Sequence, residues 1–136
     1  MDNSYYTTLE EKMMEFIETM EKYLLHAPRH QRECICRRIR EVELDIMCDI
    51  SDVMTLKYKK TAVTALNRDH ARLRTLVNLY NRQGYFDYHN QRKSYNPDRA
   101  LRRFTNASFM INEIGAMIGG IIKAVFAAEP EKAARA

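Results

Sequence analysis

The chain has 136 residues, 22 of them Lys or Arg and 18 Asp or Glu, which gives a net charge of +4. A chain of this length fits one domain and leaves no room for separate catalytic and regulatory domains. It contains only four glycines and three prolines, too few for the many turns of a β-sandwich or an α/β fold. The composition therefore favours a small number of long helices.

Apolar residues recur at helical spacing in four segments of the chain. These segments cover residues 8–26, 29–51, 59–83 and 97–128. Short connections between long helices favour antiparallel neighbours. The sequence therefore predicts an all-α fold, an up-down-up-down antiparallel four-helix bundle, with residues 1–128 as a single domain. The remaining residues, 129–136, are predicted to form a disordered tail.

Residue types at the ends of these segments agree with the predicted boundaries. Thr8 can cap the first helix, and Gly84 stands where a left-handed residue would end the third. Asn96, directly before a proline, is placed to cap the fourth helix. The segment 84–96 has no apolar period and is predicted to be a loop.

The fourth predicted helix carries two apolar stripes, which indicates burial on two sides. One stripe contains Leu101, Phe104, Ser108, Ile111, Gly115, Ile118, Ile122 and Val125. The other contains Ala107, Met110, Ile114, Met117, Ile121 and Ala124. One stripe would fill the bundle core and the other would need a further surface, so we expect a homo-oligomer.

Three of the four glycines, Gly115, Gly119 and Gly120, lie inside this apolar helix. A phosphate-binding loop would instead place its glycines between a strand and a helix. Each glycine in a helix interior costs up to about 1 kcal/mol relative to alanine. We therefore interpret the three glycines as positions of close helix packing.

Membrane insertion, metal binding and catalysis find little support in the sequence. The most apolar stretch, residues 114–128, contains Lys123 and is too short to span a bilayer core of about 30 Å. Cys34 and Cys36 would point in different directions on a helix and could not share a metal. An odd number of cysteines favours a reducing cytoplasm. No catalytic motif occurs, so we expect no enzyme activity, no metal and no cofactor.

Two acids, Asp69 and Glu113, fall at or beside buried helical positions, where carboxylates need partners. Arg74, on the flank of the third helix, is one candidate partner. A structural ion pair or a capped polar core position is the simplest interpretation.

Positive charge is concentrated in the middle of the chain. Residues 1–28 carry two basic and six acidic side chains, whereas residues 29–103 carry 17 basic and nine acidic ones. Arginine provides forked donors that suit phosphates. The candidate nucleic-acid-binding residues are Arg29, Arg32, Arg37, Arg40, Arg68, Arg72, Arg74, Arg99, Arg102 and Arg103. The alternative is a solvated charged face with pairs within a helix, such as Arg37 with Glu41.

Aromatic residues lie among the basic residues of the predicted loop. They are Tyr85, Phe86, Tyr88 and Tyr95. Such side chains can serve as stacking platforms for unpaired bases.

Several segments resemble a known family of four-helix bundle proteins. They are PRH at residues 28–30 followed by CRRIR at 36–40, LRTL at 73–76 and NEIGAMIGG at 112–120. The family includes the accessory variability determinant (Avd) of diversity-generating retroelements and proteins encoded in intervening sequences of large-subunit ribosomal RNA genes. The last segment resembles the family signature Glu-Ile-Gly-Arg-Met-Leu-Gly-Gly-Trp, with Ala116 and Ile121 in place of its Arg and Trp.

The resemblance implies a homopentameric barrel of four-helix bundles with a basic surface. It implies a noncatalytic partner of a reverse transcriptase and its template RNA and cDNA, which supports mutagenic reverse transcription and retrohoming. The residues that match the family motifs are Arg29, Arg37, Arg40, Arg74 and Glu113. Of these, Arg74 and Glu113 are assigned first to a structural ion pair.

A second hypothesis is an oligomeric scaffold that docks proteins without touching nucleic acid. In that case the acidic first helix would pair with basic faces of its neighbours. A mixed surface with no continuous basic band would favour this alternative.

Overall fold

The computed structural model describes residues 1–128, so the predicted disordered tail, residues 129–136, lies outside the described residues. Four long helices dominate, and the predicted all-α class is confirmed. They are α1 (Asn3–Leu24), α2 (Arg37–Thr55), α3 (Lys60–Arg82) and α4 (Pro97–Ala128).

The first helix begins five residues before the predicted start. Asp2 is its N-cap, because its carboxylate accepts hydrogen bonds from the backbone N–H groups of Ser4 (3.1 Å) and Tyr5 (3.2 Å). Thr8, the predicted cap, lies inside the helix and donates its hydroxyl to the Ser4 carbonyl oxygen (2.8 Å). The earlier start extends the helix through Tyr6, which is buried in the core.

The second predicted helix is not continuous. A 3-10 turn at Arg29–Gln31 and a wider turn at Arg32–Cys36 precede α2. Cys34 interrupts the helical geometry with φ −118° and ψ −105°. The arginines before this break therefore do not continue the helical face of those that follow it. Cys34 is exposed and Cys36 is buried, so these two side chains do point in different directions.

The predicted loop contains a short β-hairpin. Gly84, with φ +81°, ends α3 as predicted. Strand β1 (Tyr88–His89) pairs antiparallel with strand β2 (Arg92–Lys93). Asn90 and Gln91 form the turn between them, with φ values of +51° and +66°. Two successive left-handed residues are typical of a type I′ hairpin turn.

Side-chain hydrogen bonds connect the hairpin to the start of α4. The Asp87 carboxylate accepts from the Ser94 hydroxyl (2.8 Å) and from the Asn96 backbone N–H (2.8 Å). The Asn96 side chain in turn accepts from the Arg99 backbone N–H (3.1 Å). Asn96 is therefore the predicted cap of α4, and the hairpin is fixed at that helix end.

Where α1 packs on α4, the early residues of α1 contact late residues of α4, and the late residues of α1 contact early residues of α4. The Tyr5 hydroxyl donates to the Met117 carbonyl oxygen (2.9 Å), and the Asn106 amide donates to the Tyr23 hydroxyl (2.9 Å). Between these two levels, Lys12 pairs with an acid of α4. These two helices are therefore antiparallel.

The buried residues of α4 come alternately from the two predicted apolar stripes. They are Ala107, Ile111, Ile114, Ile118, Ile121 and Val125. Their spacing of three and four residues forms one seam against the other helices. Within one chain α4 is thus buried on one side, and Leu101 and Phe109 remain 63% and 65% exposed.

Helix α4 is also long and apolar enough to cross a membrane. It has 32 residues, and an 18-residue window within it has a mean hydropathy of 1.5. The sequence-based argument from a 15-residue stretch therefore underestimated its length. Core helices of soluble proteins meet the same criterion, so this property alone does not indicate a membrane span.

Candidate nucleic-acid interface

A groove of about 520 Å³ lies between α2 and α3. Its residues are Arg38, Val42, Arg68, Ala71, Arg72, Thr75 and Leu76. We call it the α2–α3 groove. Three arginines combined with small and apolar side chains make a concave cationic surface, which suits a phosphate backbone.

A buried carboxylate holds two of these arginines in place. Asp69 is 3% exposed and lies 3.3 Å from both Arg68 Nε and Arg72 Nη1. The arginine side chains remain 58% and 57% exposed, so each keeps donors that face solvent. Arg74, the partner suggested by the sequence, does not bind Asp69. Arg68 and Arg72 bind it instead.

A second carboxyl group, that of Asp49 on α2, interacts with Asp69, and its Oδ2 is buried with no hydrogen-bond partner within residues 1–128. Burial, together with the hydrogen bond and the charge of Asp69, raises the pKa of Asp49 to about 7. Burial raises the pKa of Asp69 as well, but hydrogen bonds from Asp49 and Arg68 lower it overall. The pair therefore shares one proton below about pH 7 and loses it above that pH. The sequence did not indicate Asp49, because its contact depends on how α2 packs on α3.

The arginines of α2 are largely paired with acids of the same chain. Arg37 Nε and Arg38 Nη1 lie 3.1 Å and 3.0 Å from the two oxygens of Glu41. Arg40 forms a forked pair with Glu21 of α1, at 2.9 Å and 3.0 Å. Arg40 therefore joins two helices, and the Arg37–Glu41 pair considered as an alternative is present.

The predicted ion pair between Arg74 and Glu113 is wrong. Arg74 Nη2 donates to the Asn112 side-chain oxygen (3.0 Å), and Glu113 Oε1 lies 2.8 Å from Lys12 Nζ. Successive residues on a helix point about 100° apart. Asn112 therefore faces α3, while Glu113 faces α1.

Arg103 holds the hairpin rather than facing solvent. Its Nη1 donates to the carbonyl oxygens of Phe86 (3.3 Å) and Tyr88 (2.8 Å). Its Nη2 donates to His89 Nδ1 (3.1 Å). Because these bonds use the guanidinium for structure, Arg103 is a weaker nucleic-acid candidate than the sequence indicated.

The other two arginines of this region differ in exposure. Arg99 Nε is buried and has no hydrogen-bond partner within residues 1–128. Arg102 is exposed and borders a shallow depression with Leu101 and Phe109. Of the three arginines predicted near the start of α4, Arg102 alone is fully available to a ligand in solution.

A second basic concavity of about 530 Å³ lies beside the hairpin. Its lining residues are Pro28, Arg29, His30, Tyr88, Asn90, Gln91 and Arg92. We call it the hairpin cleft. Arg32, also predicted as a nucleic-acid contact, is exposed and close to the cleft in sequence but does not line it.

The four aromatic residues predicted as stacking platforms differ in accessibility. Phe86 is buried, and Tyr85 packs edge-on against the Tyr80 ring (5.4 Å between centroids). Tyr88 lines the hairpin cleft, whereas Tyr95 is exposed beneath Lys93 Nζ. Tyr88 is thus the aromatic residue that shares a concave surface with arginines.

Two stacked histidines attach the hairpin to the end of α1. The rings of His26 and His89 are 4.1 Å apart, and His26 Nδ1 accepts from the Asn90 backbone N–H (2.9 Å). Burial lowers the pKa of His26, and the nearby His89 and Arg103 lower it further. Burial and the charges of Arg99 and Arg103 lower the pKa of His89. Both rings are therefore neutral at pH 7.

Two of the three glycines of α4 lie against other side chains. A Cβ on Gly115 would stand 2.8 Å from His70 Cε1, and one on Gly120 would stand 2.7 Å from the Tyr5 hydroxyl oxygen. His70 is held there by donating Nε2–H to the Ile111 carbonyl oxygen (2.8 Å). Gly119 meets nothing within 4 Å, so the packing interpretation does not apply to it within one chain.

A buried acid on α2, Glu43, was not indicated by the sequence. It is 2% exposed, and its Oε2 has no hydrogen-bond partner within residues 1–128. Burial and the charge of Glu21 raise its pKa to about 8. Glu43 is therefore protonated at neutral pH.

Within the part of the chain that the structure describes, no three His, Cys, Asp or Glu side chains are close enough to hold a metal ion. The three cysteines are free thiols. Comparison of the chain with protein-family models finds no match, and comparisons with curated protein sequences and with solved structures find none either.

Proposed function

We propose that this protein is a noncatalytic nucleic-acid-binding protein that contacts the phosphate backbone of RNA and cDNA through the α2–α3 groove. One observation carries the proposal: Arg68 and Arg72 gather around the buried Asp69 and still expose more than half of their side chains. Arg38 belongs to the same groove.

The arrangement of charges suits a phosphate group. Asp69 accepts one donor from each of two guanidinium groups, and each fork retains further N–H donors. Their positions are fixed by a buried group, so less side-chain entropy is lost when a phosphate binds. The apolar side chains between the arginines cannot specify a base sequence, so binding should be weakly sequence-specific.

We further propose that the four helices form a closed up-down-up-down bundle and that copies of it assemble into a homo-oligomer. The exposed Leu101 and Phe109 on α4 support an assembly, because contact with another copy would bury them. The resemblance of the 112–120 segment to the family signature is the basis for proposing a pentamer. A ring of five chains would multiply the net charge of each chain.

The same resemblance is the basis for the proposed partner. The protein would bind a retroelement reverse transcriptase and its template RNA in the cytoplasm and support mutagenic cDNA synthesis and retrohoming. The groove would then hold template or cDNA while the polymerase performs the chemistry.

The decisive experiment measures RNA affinity of the full chain as a function of salt. Neutralising the groove with Arg68→Gln, Asp69→Asn and Arg72→Gln should lower the slope of log affinity against log salt by about 1 to 2. Glu18→Gln, Lys22→Gln and Arg82→Gln, at exposed positions, make the same net charge change outside the groove and serve as control. Equal slopes for the two triple variants, with equal helicity, would contradict the groove assignment.

The second candidate function is a protein-docking scaffold without nucleic-acid contact. The pairing of Arg37, Arg38 and Arg40 with acids of the same chain favours it, because those arginines are partly neutralised. An oligomer that binds no RNA at low salt would support the scaffold and exclude the proposed groove.

A further inference from the structure

We propose that the hairpin cleft is a separate site for one unpaired nucleotide of a single strand, with its phosphate between Arg29 and Arg92 and its base against Tyr88. The inference rests on the proposed nucleic-acid binding for its ligand. It concerns a different surface, since the cleft and the α2–α3 groove share no lining residue.

The charge of the cleft favours a phosphate. Arg29 and Arg92 line it together with His30, and none of its lining residues is acidic. Neither arginine forms a salt bridge within residues 1–128. In the α2–α3 groove a carboxylate already occupies part of each fork, whereas here every donor remains available for a phosphate.

The walls of the cleft are fixed before any ligand binds. The Gln91 backbone N–H donates to the His26 carbonyl oxygen (3.1 Å), and the Gln91 side-chain amide donates to the Leu25 carbonyl oxygen (2.5 Å). Arg103 holds the other side of the hairpin through the Tyr88 carbonyl oxygen. A preformed concave surface avoids the entropy that ordering a loop would consume on binding.

The other lining groups favour a nucleotide over a simple anion. Tyr88 offers an aromatic ring on which any base can stack, and Asn90 carries an amide suited to base edges. A volume of about 530 Å³ lies within the range of small-molecule sites. Bases inside a duplex are already stacked on one another, so only an unpaired nucleotide can place its base on Tyr88.

The test combines amide chemical-shift mapping with affinity measurements on the full chain. The probes are a single-stranded hexaribonucleotide, a blunt RNA duplex, uridine monophosphate and inorganic phosphate. We expect the hexaribonucleotide to shift the amides of His30, Gln91 and Arg92, with uridine monophosphate shifting the same amides more weakly. The duplex should leave them unchanged. Shifts with the free mononucleotide or inorganic phosphate but not with the strand would overturn the proposal.

Substitutions then separate stacking from charge. Tyr88→Leu should lower the affinity for the hexaribonucleotide between about fivefold and about a hundredfold. Tyr88→Phe retains the ring and should retain the affinity. Tyr95→Leu, an exposed tyrosine outside the cleft, is the matched control. Arg29→Gln with Arg92→Gln should weaken binding, and Lys93→Gln, whose side chain points to the opposite face of β2, should not. A Tyr88→Leu affinity equal to that of Tyr95→Leu would overturn the role of the base.

Failure of this inference is distinguishable from failure of the proposed function. If the cleft is not a site, its variants bind single strands normally while the groove variant loses salt sensitivity. If the protein does not bind nucleic acid through the groove, the groove variant matches its control whatever the cleft variants do.

Discussion

The α2–α3 groove and the hairpin cleft are both basic, but different groups hold their arginines in place. In the groove, Arg68 and Arg72 converge on the buried Asp69, whose neighbour Asp49 has a raised pKa of about 7. In the cleft, Arg92 projects from a hairpin that neutral histidines fix to α1. The first arrangement depends on carboxyl groups that lose a proton as pH rises, and the second on imidazoles that gain one as pH falls.

The two regions should therefore respond to pH in opposite directions. Because the carboxyl pKa values on α2 are raised in the folded state, that side of the molecule loses stability as pH rises from the ordinary carboxyl pKa to about 7 or 8. Lowered histidine pKa values weaken the hairpin below neutral pH.

The largest expected effect concerns Glu43, the buried acid of α2. Its folded pKa of about 8 lies above the ordinary value of 4.5, so the folded state binds more protons and stability falls as pH rises between those values. Glu43→Gln removes the titration. The unfolding free energy of the variant minus that of the parent protein should be roughly 3 kcal/mol larger at pH 8 than at pH 5. Urea unfolding at the two pH values measures it.

Glu18→Gln is the control for that experiment, because Glu18 is an exposed acid on α1. It should leave the pH dependence of the unfolding free energy unchanged. A Glu43→Gln protein whose stability follows the parent curve from pH 5 to pH 8 would show that Glu43 does not carry the effect.

The next effect is at the hairpin. His26 and His89 titrate below their ordinary pKa of 6.5, so the folded state binds fewer protons and its stability falls as pH drops below about 6.5. Protonation of His26 removes the acceptor for the Asn90 N–H and adds charge beside Arg99 and Arg103. We expect the Asn90 and Gln91 amides to be less protected at pH 5 than at pH 7, measured by hydrogen exchange and NMR relative to the chemical exchange rate at each pH.

His26→Asn tests the cause of that change. An asparagine oxygen can accept the same N–H as Nδ1 but cannot acquire a charge. The variant should therefore protect Asn90 equally at pH 5 and pH 7. Faster exchange at pH 5 in this variant, beyond the chemical rate, would assign the effect to another group.

Features set by local rules could be predicted from the sequence. Asn96 and Pro97 define the start of α4, and Gly84 ends α3, because caps and left-handed positions depend on a few neighbouring residues. The hairpin was missed because its own residues carry no local signal for strands or a turn. Its strands have two residues each, and its turn is Asn90–Gln91 rather than a pair containing glycine.

Features set by packing between helices could not be predicted. The Arg74–Glu113 pair failed because a difference of one residue turns a side chain by about 100°, which brought Asn112 to Arg74 instead. Asp49 and Asp69 lie on different helices, 20 residues apart, and only the packing of α2 on α3 brings them together. The candidate arginines could be named from charge, but whether each is free or paired depends on these contacts.

The smallest expected effect is on binding in the groove. Asp49 loses its proton at about pH 7, which adds a second negative charge next to the arginines that would hold a phosphate. A unit charge a few ångströms away in a solvated site is worth about 1 kcal/mol. RNA affinity should therefore fall about fivefold between pH 6 and pH 8 beyond any change in the RNA itself. Asp49→Asn should abolish the decrease, and Asp45→Asn, exposed one turn earlier on α2, should preserve most of it. If Asp49→Asn retains the full decrease, the carboxyl pair does not control the groove, and its two arginines act independently of the proton that Asp49 and Asp69 share.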